Sequence, residues 1–381
     1  MNSDIKKLTI FTLLLISMTT MMSNVAIVTA LPHLKEHFTD IKNIEFYSRL
    51  MLTLPSFVIA ILAPILGHII FRFGKKRSAI IALIVFAISG STGLYLDSLE
   101  LLLASRAVFG VCVATLMIVS TSLVGDYFKE QSRHKFMGYQ SAFTAVGGVV
   151  FVIGGGFLSD ISWRYSFGIY LIGFLLLPLA ITQLKEVKID TIKDDEVQVS
   201  SRIYFIYILA FCYMLIFFIL PTQIPFLLIE EFGASGKFAG SVIGTAFLAN
   251  AFGAITFSKL KSRYSYSTIF LIATFIIAMG FTGVGLVQEL HLFYFTAPLL
   301  GFGGGIMLTN LTAWMLSKTT LKKRVKTSGY FTSALFFGQF SSPLIFHSAV
   351  SNLGVQDFFY VVGISLIAIV IISSFTLKLQ R

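Results

Sequence analysis

The chain has 381 residues, of which 56% are hydrophobic and only 12% are charged, so it is far more apolar than an ordinary soluble protein. Its polar stretches are too short to form a soluble domain. The formal net charge of +11 comes from basic residues in short loops rather than on basic helices or arms, which argues against a nucleic-acid partner. The composition indicates a protein whose main solvent is the lipid bilayer.

Apolar runs of about twenty residues, long enough to cross about 30 Å of hydrocarbon, recur along the whole chain. The first one follows Lys6 and Lys7 as a signal peptide would, but it is too long and lacks a small-residue cleavage site before Pro32, so we expect it to be retained. We predict an all-α membrane protein with twelve spanning helices, at 8–31, 46–70, 78–96, 100–124, 136–159, 165–184, 203–228, 238–258, 266–287, 292–316, 328–350 and 357–377.

The distribution of basic residues predicts the orientation. With the N-terminus in the cytoplasm, 23 of the 29 Lys and Arg residues fall in cytoplasmic segments, as the positive-inside rule requires. Arg106 lies within a helix, and the other five are assigned to the outside: Lys35, Lys42, Arg49, Arg164 and Lys237. We therefore expect a multi-pass protein of the cytoplasmic (inner) membrane with both termini in the cytoplasm.

Internal similarity predicts two related halves. Gly138-Tyr139 recurs as Gly329-Tyr330 at an offset of 191 residues, and Phe109-Gly110 recurs at an offset of 193. Repeats of this kind are typical of transporters whose substrate site lies between two bundles. We predict a six-helix bundle at 1–184, a charged cytoplasmic linker at 185–202 and a second six-helix bundle at 203–381.

The loop after the second predicted helix combines glycines with a cluster of cations. It can be read simply as a positive-inside loop. Its spacing, however, resembles the cytoplasmic signature of the major facilitator superfamily, although Phe71 stands where that family usually carries aspartate. The resemblance implies a gating loop formed by Gly67, Arg72, Gly74, Lys75, Lys76 and Arg77.

Arg106 lies in the fourth predicted helix, four residues before Gly110. A charge inside the membrane costs several kcal/mol, about 3 on insertion scales, and usually marks a functional site. The alternative is that the long side chain snorkels to the interface. The run from Ser105 to Gly110 is similar to the fourth-helix motif of the superfamily, which implies a role for Arg106 in coupling or substrate orientation, with Asn24 as a partner at similar depth.

The fifth predicted helix is rich in glycine and is followed by Trp163-Arg164. Glycines let membrane helices approach closely, and packing alone explains most such helices. The spacing is similar to the exporter-associated motif of the drug:proton antiporter branch, although Phe151-Val152 replaces its Gly-Pro pair. The resemblance implies packing roles for Gly147, Gly155 and Gly156.

Polar groups inside the other helices are the remaining candidates for a substrate or coupling site. No carboxylate lies deep in a predicted helix, so Asp160 and His347 are the groups that can titrate near the membrane. The amides can bind ligand or simply hold helices together. The candidates are Asn24, Gln140, Gln223, Asn250, Asn310 and Gln339, and Pro221 and Pro225 are expected to interrupt the helix around Gln223.

Together these features resemble a twelve-helix major facilitator transporter of the drug:proton antiporter branch. The leading hypothesis is a monomeric exporter of a small organic molecule that works by alternating access driven by protons, and the runner-up is an importer or facilitator of an anionic solute. A membrane enzyme or sensor lacks its catalytic clusters, and ATP-driven transport lacks its phosphate loop. Cys112 and Cys212 show no metal or redox spacing, so we expect neither metal nor cofactor.

Overall fold

A computed structural model describes residues 7–128, 130–186, 201–319 and 324–379. The chain divides into two compact units, Met1–Val199 and Ser200–Arg381. Most of the predicted linker lies outside the described residues, so its boundaries stay a prediction. The described parts of both units consist of helices joined by short turns.

The first unit contains six membrane-length helical segments, several of them broken by short 3₁₀ turns. The helices are α1 (Lys7–Val25), α2 (Leu31–His37), α3 (Ile44–Phe73), α4 (Lys75–Gly90), α5 (Leu99–Tyr127), α6 (Glu130–Ile161), α7 (Trp163–Phe167) and α8 (Ile172–Gln183). The 3₁₀ turns are Val28–Ala30, Ser91–Leu94 and Gly168–Leu171.

The first segment differs from the prediction of one helix at 8–31. Helix α1 ends at Val25, and α2 begins at Leu31 and continues to His37. Proline has no N–H group to donate back to the previous turn, but it fits the first turn of a new helix. Pro32 occupies that place in α2, so it favours the start of the second helix.

The second unit also contains six segments. They are formed by α9 (Ser201–Phe217), α10 (Ile219–Phe226), α11 (Gly236–Lys261), α12 (Tyr266–Leu286), α13 (Phe293–Ser317), α14 (Arg324–Leu353) and α15 (Val355–Leu379), with a π-helical turn at Leu227–Glu231 and a 3₁₀ turn at Leu290–Leu292. Pro221 lacks the N–H that would bond to Phe217, and the α9–α10 break falls there at Phe218. The predicted interruption around Gln223 is therefore present.

Eleven segments among the described residues are long and apolar enough to cross a membrane. The remaining predicted span, 328–350, lies within α14, a 30-residue helix whose many serine and glycine residues lower its hydropathy. Corresponding helices of the two units also begin at corresponding positions of the sequence repeat. Helix α4 begins at Lys75 and α12 at Tyr266, an offset of 191 residues that equals the offset of the sequence repeat.

Candidate functional site

Arg106 on α5 is buried inside the first unit, with 1% of its surface exposed. Its Nη2 atom donates to the carbonyl oxygens of Ser89 (3.2 Å) and Gly90 (2.6 Å). These carbonyls belong to the last turn of α4, where backbone oxygens lack helical partners and the helix dipole favours a cation. The guanidinium therefore caps the C-terminal end of α4 rather than reaching out to the interface.

Aromatic rings surround the remainder of the Arg106 guanidinium. Its carbon lies 4.8 Å from the ring centre of Phe109, 5.0 Å from that of Phe167 and 5.1 Å from that of Tyr170. Cation–π attraction is strongest when, as here, the charge is out of water. The Nε and Nη1 atoms have no hydrogen-bond partner, so this buried cation keeps unused donors. The predicted partner of Arg106 is Asn24, whose side chain is outside the part of the chain that the structure describes.

A second arginine is buried in a spanning helix. Arg49 on α3 is 1% exposed and lies within the candidate span Ile44–Gly67, so assigning it to the external loops was wrong. Its Nη2 atom lies 3.6 Å from Glu45, which also pairs with Lys35 at 2.6 Å. The signal was present in the sequence, because the predicted helix at 46–70 already contained Arg49.

Gln140 belongs to a polar cluster that joins three helices of the first unit. Its Nε2 atom donates to the hydroxyl of Ser17 on α1 (2.8 Å), and Ser17 shares a 2.6 Å hydrogen bond with Ser120 on α5. Both serines are buried. The sequence analysis considered amides and missed these two hydroxyls, although both lie on the first and fourth predicted helices. The cluster offers donors and acceptors inside an otherwise apolar bundle.

The glycines of α6 set the distance between α6 and α1. A Cβ atom at Gly155 would overlap the carbonyl oxygen of Ala26, and one at Gly147 would lie 2.7 Å from Cε of Met18. Gly156 is buried, whereas a Cβ at Gly154 would meet no atom within 4 Å. At Gly155 the backbone of α6 thus touches the backbone of Ala26, the residue that follows the end of α1.

The predicted gating loop is a tight turn anchored by carboxylates. Gly74 adopts φ = 95°, a conformation that glycine reaches without strain. Directly after it, Glu186 accepts hydrogen bonds from the backbone N–H groups of Lys75 (2.7 Å) and Lys76 (2.8 Å), so it caps the N-terminus of α4. Nζ of Lys75 lies 2.5 Å from Asp126.

The other loop residues differ in their surroundings. Arg72 and Arg77 are exposed, and a Cβ at Gly67 would meet no atom within 4 Å. The charge of Lys75, by contrast, is shielded from water, since the Lys75 and Asp126 side chains are 11% and 5% exposed.

Tyr127 anchors the segment that follows α8. Its hydroxyl donates to the Lys185 carbonyl (2.6 Å) and accepts from the Lys185 N–H (2.7 Å), and burial raises the pKa of that hydroxyl. The segment after α8 is thereby bound to α4 and α5.

Asp160 lies at the opposite end of the first unit. It is exposed and lines a depression of about 340 Å³ together with His33, His37 and Trp163. Beside it, Arg164 forms an ion pair with Asp97 and donates to the carbonyl oxygens of Gly93 (3.2 Å) and Leu96 (3.1 Å). Arg164 therefore ties the start of α7 to the turn after α4.

Gln223 and Asn310 are the two buried amides predicted on the seventh and tenth helices. Gln223 is 1% exposed and Asn310 is fully buried. Asn310 Nδ2 donates to the carbonyl oxygen of Tyr266 (3.0 Å), which holds α13 to α12. The side-chain oxygens of both amides have no hydrogen-bond partner, so each keeps an unused acceptor.

The remaining candidates of the second unit lie on α11 and α14. Gln339 is buried, whereas Asn250 and His347 are half-buried. The backbone oxygen of Asn250 lies where α13 passes at Gly305, a position with no room for a side chain. In the described part of the chain, no group of three or more His, Cys, Asp or Glu residues could hold a metal ion.

Comparison with known proteins assigns the class. The model of the Major Facilitator Superfamily matches residues 13–201 and 206–381. The chain therefore belongs to the Major Facilitator Superfamily, whose members are membrane transporters rather than enzymes. The predicted fold class, an all-α membrane protein with the major facilitator fold, is confirmed.

Two of the similar proteins are drug-resistance transporters. The chain is 25% identical to the class B tetracycline resistance protein of Escherichia coli over 371 residues, covering 93% of this chain and 92% of that protein. It is 34% identical over 131 residues to multidrug resistance protein 1 of Bacillus subtilis, covering 33% of each chain. In fold it is similar to a bacterial homologue of the human lysosomal transporter Spinster, crystallised in an inward-facing and occupied conformation, with a TM-score of 0.75, 15% identity and coverage of 95% and 93%.

Proposed function

We propose that this transporter is a secondary active exporter of small organic molecules in the cytoplasmic membrane. The observation that carries the proposal is the similarity to a tetracycline resistance protein over 93% of the chain. We further propose that the protein works by alternating access and is driven by protons. It acts as a monomer, and both of its termini lie in the cytoplasm. The charge distribution of the loops supports this orientation.

The first unit supplies the residues that we propose for substrate contact. The cluster of Ser17, Ser120 and Gln140 gives hydrogen-bonding groups in an apolar surrounding, the combination that fixes the orientation of small organic ligands. On the second unit, the free acceptors of Gln223 and Asn310 are of the same kind. A binding surface with few charges suits a moderately apolar substrate.

Proton coupling needs a group whose charge changes during the cycle. The Asp126 side chain is only 5% exposed, and it is engaged with Lys75. Asp160 and His347 remain the other candidates. Replacing each by asparagine or glutamine in turn should identify the coupling group, because its loss uncouples transport from the pH gradient while substrate binding persists.

A second candidate function is import or facilitated passage of an anionic solute. It is favoured by Arg106, a buried guanidinium with two unpartnered donor atoms, since guanidinium pairs well with carboxylates. A substrate would reach it only after the rings of Phe109, Phe167 and Tyr170 move aside.

Transport in membrane vesicles separates the two candidates. Everted vesicles with an acidic interior should accumulate tetracycline or another member of a drug panel, and a protonophore should abolish the accumulation. Accumulation of anionic metabolites in right-side-out vesicles alone would instead support import.

Reporter fusions test the proposed orientation. A reporter fused after Arg202 should be cytoplasmic, and one inserted at Leu290-His291 should be external. The reverse pattern would refute the orientation.

A further inference from the structure

The second unit has a cavity of about 440 Å³ at the end of the bundle that carries its basic loops. Its walls include Phe205 from α9, Ser265 and Tyr266 at the start of α12, and Trp314 and Lys318 at the end of α13. The candidate spans of these helices end at Ile203, Tyr266 and Ser317. The cavity therefore lies at the depth of the membrane interface, and its volume is that of a ligand site.

The cavity walls combine stacked aromatic rings with positive charge. The rings of Tyr266 and Trp314 stack with centres 6.0 Å apart and an interplanar angle of 4°, and such residues favour the headgroup level of a bilayer. Lys318 is exposed at the cavity, and Nζ of Lys261 lies 4.4 Å from the ring centre of Tyr266. The N-terminus of α12, which also attracts anions, forms another part of the wall.

The first unit holds an anion at the corresponding position. Helix α4 begins at Lys75, which is related to Tyr266 by the 191-residue offset of the repeat. There the Glu186 carboxylate accepts from two backbone N–H groups at the start of α4, and Asp126 pairs with the Lys75 ammonium. Two carboxylates of the chain thus occupy the anion positions at the start of α4.

The second unit has no such carboxylate at its basic end. Residues 201–381 contain four acidic residues: Glu230, Glu231, Glu289 and Asp357. All four lie in the described part of the chain at the opposite end of the unit, since they follow α10, precede α13 or begin α15. Among the described residues of the second unit, no carboxylate side chain therefore lies at the end that carries the cavity.

We propose that this cavity binds the phosphate group of an anionic phospholipid such as phosphatidylglycerol. Lys318 and the first turn of α12 receive the phosphate, and the Tyr266–Trp314 pair packs beside the glycerol backbone. The acyl chains run along the surface of α9, where Phe205 is 55% exposed. Only the choice of the inner leaflet rests on the proposed orientation, and the site is independent of the transported substrate.

Tryptophan fluorescence tests the proposal without measuring transport. The chain has two tryptophans, Trp163 and Trp314, so Trp163→Phe in the full-length protein leaves Trp314 as the reporter. The protein is placed in bilayers that contain brominated phosphatidylglycerol or brominated phosphatidylcholine, whose bromines quench nearby tryptophan. We expect phosphatidylglycerol to occupy the site about fivefold more strongly, as one lysine near anionic lipid predicts. Equal quenching by the two lipids overturns the proposal.

Matched lysine variants show whether the cavity or the general surface charge is responsible. Lys318→Gln should abolish the preference, whereas Lys259→Gln, which removes an exposed charge outside the cavity walls, should preserve it. Equal loss in both variants, or a preference that survives Lys318→Gln, refutes the cavity site. Trp314→Phe, which leaves Trp163 on the first unit as the reporter outside the cavity walls, should show no preference. Relief of phosphatidylglycerol quenching by inorganic phosphate at matched ionic strength would assign the site to a soluble anion and refute the lipid.

Discussion

The Lys75–Asp126 pair should contribute measurably to the stability of the first unit. The two charged atoms are 2.5 Å apart, and the Lys75 and Asp126 side chains are only 11% and 5% exposed. Asp126→Asn would leave the Lys75 ammonium without its partner in a place that water hardly reaches. Lys75→Met would leave the Asp126 carboxylate in the same situation.

Removing one partner of a buried ion pair costs about 3–5 kcal/mol, whereas removing both can be nearly neutral. We expect about 3 kcal/mol for each single variant, the lower end of that range, because Lys75 retains some access to solvent. The double variant should lose about 2 kcal/mol, far less than the sum of the single losses. The coupling energy is therefore about 4 kcal/mol.

The free energy of unfolding is measured by denaturant titration of the purified protein in detergent micelles. The measurement is made on the unaltered protein, the two single variants and the double variant, which together form a double-mutant cycle. Lys76→Met is the matched control, because Lys76 belongs to the same turn and should lose less than about 0.5 kcal/mol. Additive losses in the double variant would refute the argument, since they would mean that the two charges do not interact.

Three further predictions concern the first unit. Arg106→Gln should destabilise the protein by about 3 kcal/mol and abolish transport, because a charged cap on α4 is lost. Arg106→Lys should keep part of the stability. Full transport activity in both variants would remove Arg106 from the mechanism. Gly155→Ala should cost about 1–3 kcal/mol through its clash with the carbonyl oxygen of Ala26, while Gly154→Ala, the matched control, should be neutral in the same unfolding assay. Gln140→Leu should weaken substrate binding at least as much as Ser17→Ala, measured by drug affinity at equal protein levels; unchanged affinity in both would exclude the polar cluster.

The helical architecture was predictable because a bilayer leaves the backbone few choices. Every apolar run of sufficient length must satisfy its backbone hydrogen bonds internally, so it becomes a helix. The break in the seventh span followed from Pro221 for the same reason, since the missing N–H is a local property of the residue. The break of the first span between Val25 and Leu31 was missed, because Pro32 was taken to mark the end of that span rather than the first turn of a second helix.

Partners in space were harder to predict than helices. The sequence identifies Arg106 as a costly charge, but not that it caps α4, because that depends on where the carbonyls of Ser89 and Gly90 come to lie. Arg49 was misassigned since it lies near a helix end, where charges are usually hydrated. Ser17 and Ser120 were overlooked, because serine is common in membrane helices and only packing shows which hydroxyls meet.

The three consecutive glycines of α6 have a consequence for motion. Gly155 faces the backbone of Ala26, and its neighbours Gly154 and Gly156 carry no side chain either. Since successive residues of a helix are separated by about 100°, these three glycines leave nearly the whole circumference of one turn of α6 without side chains. The backbone of α6 can therefore shift slightly against Ala26 at this turn without a change of side-chain rotamer in α6, while the hydrogen bond of Gln140 to Ser17 holds the other end of the contact.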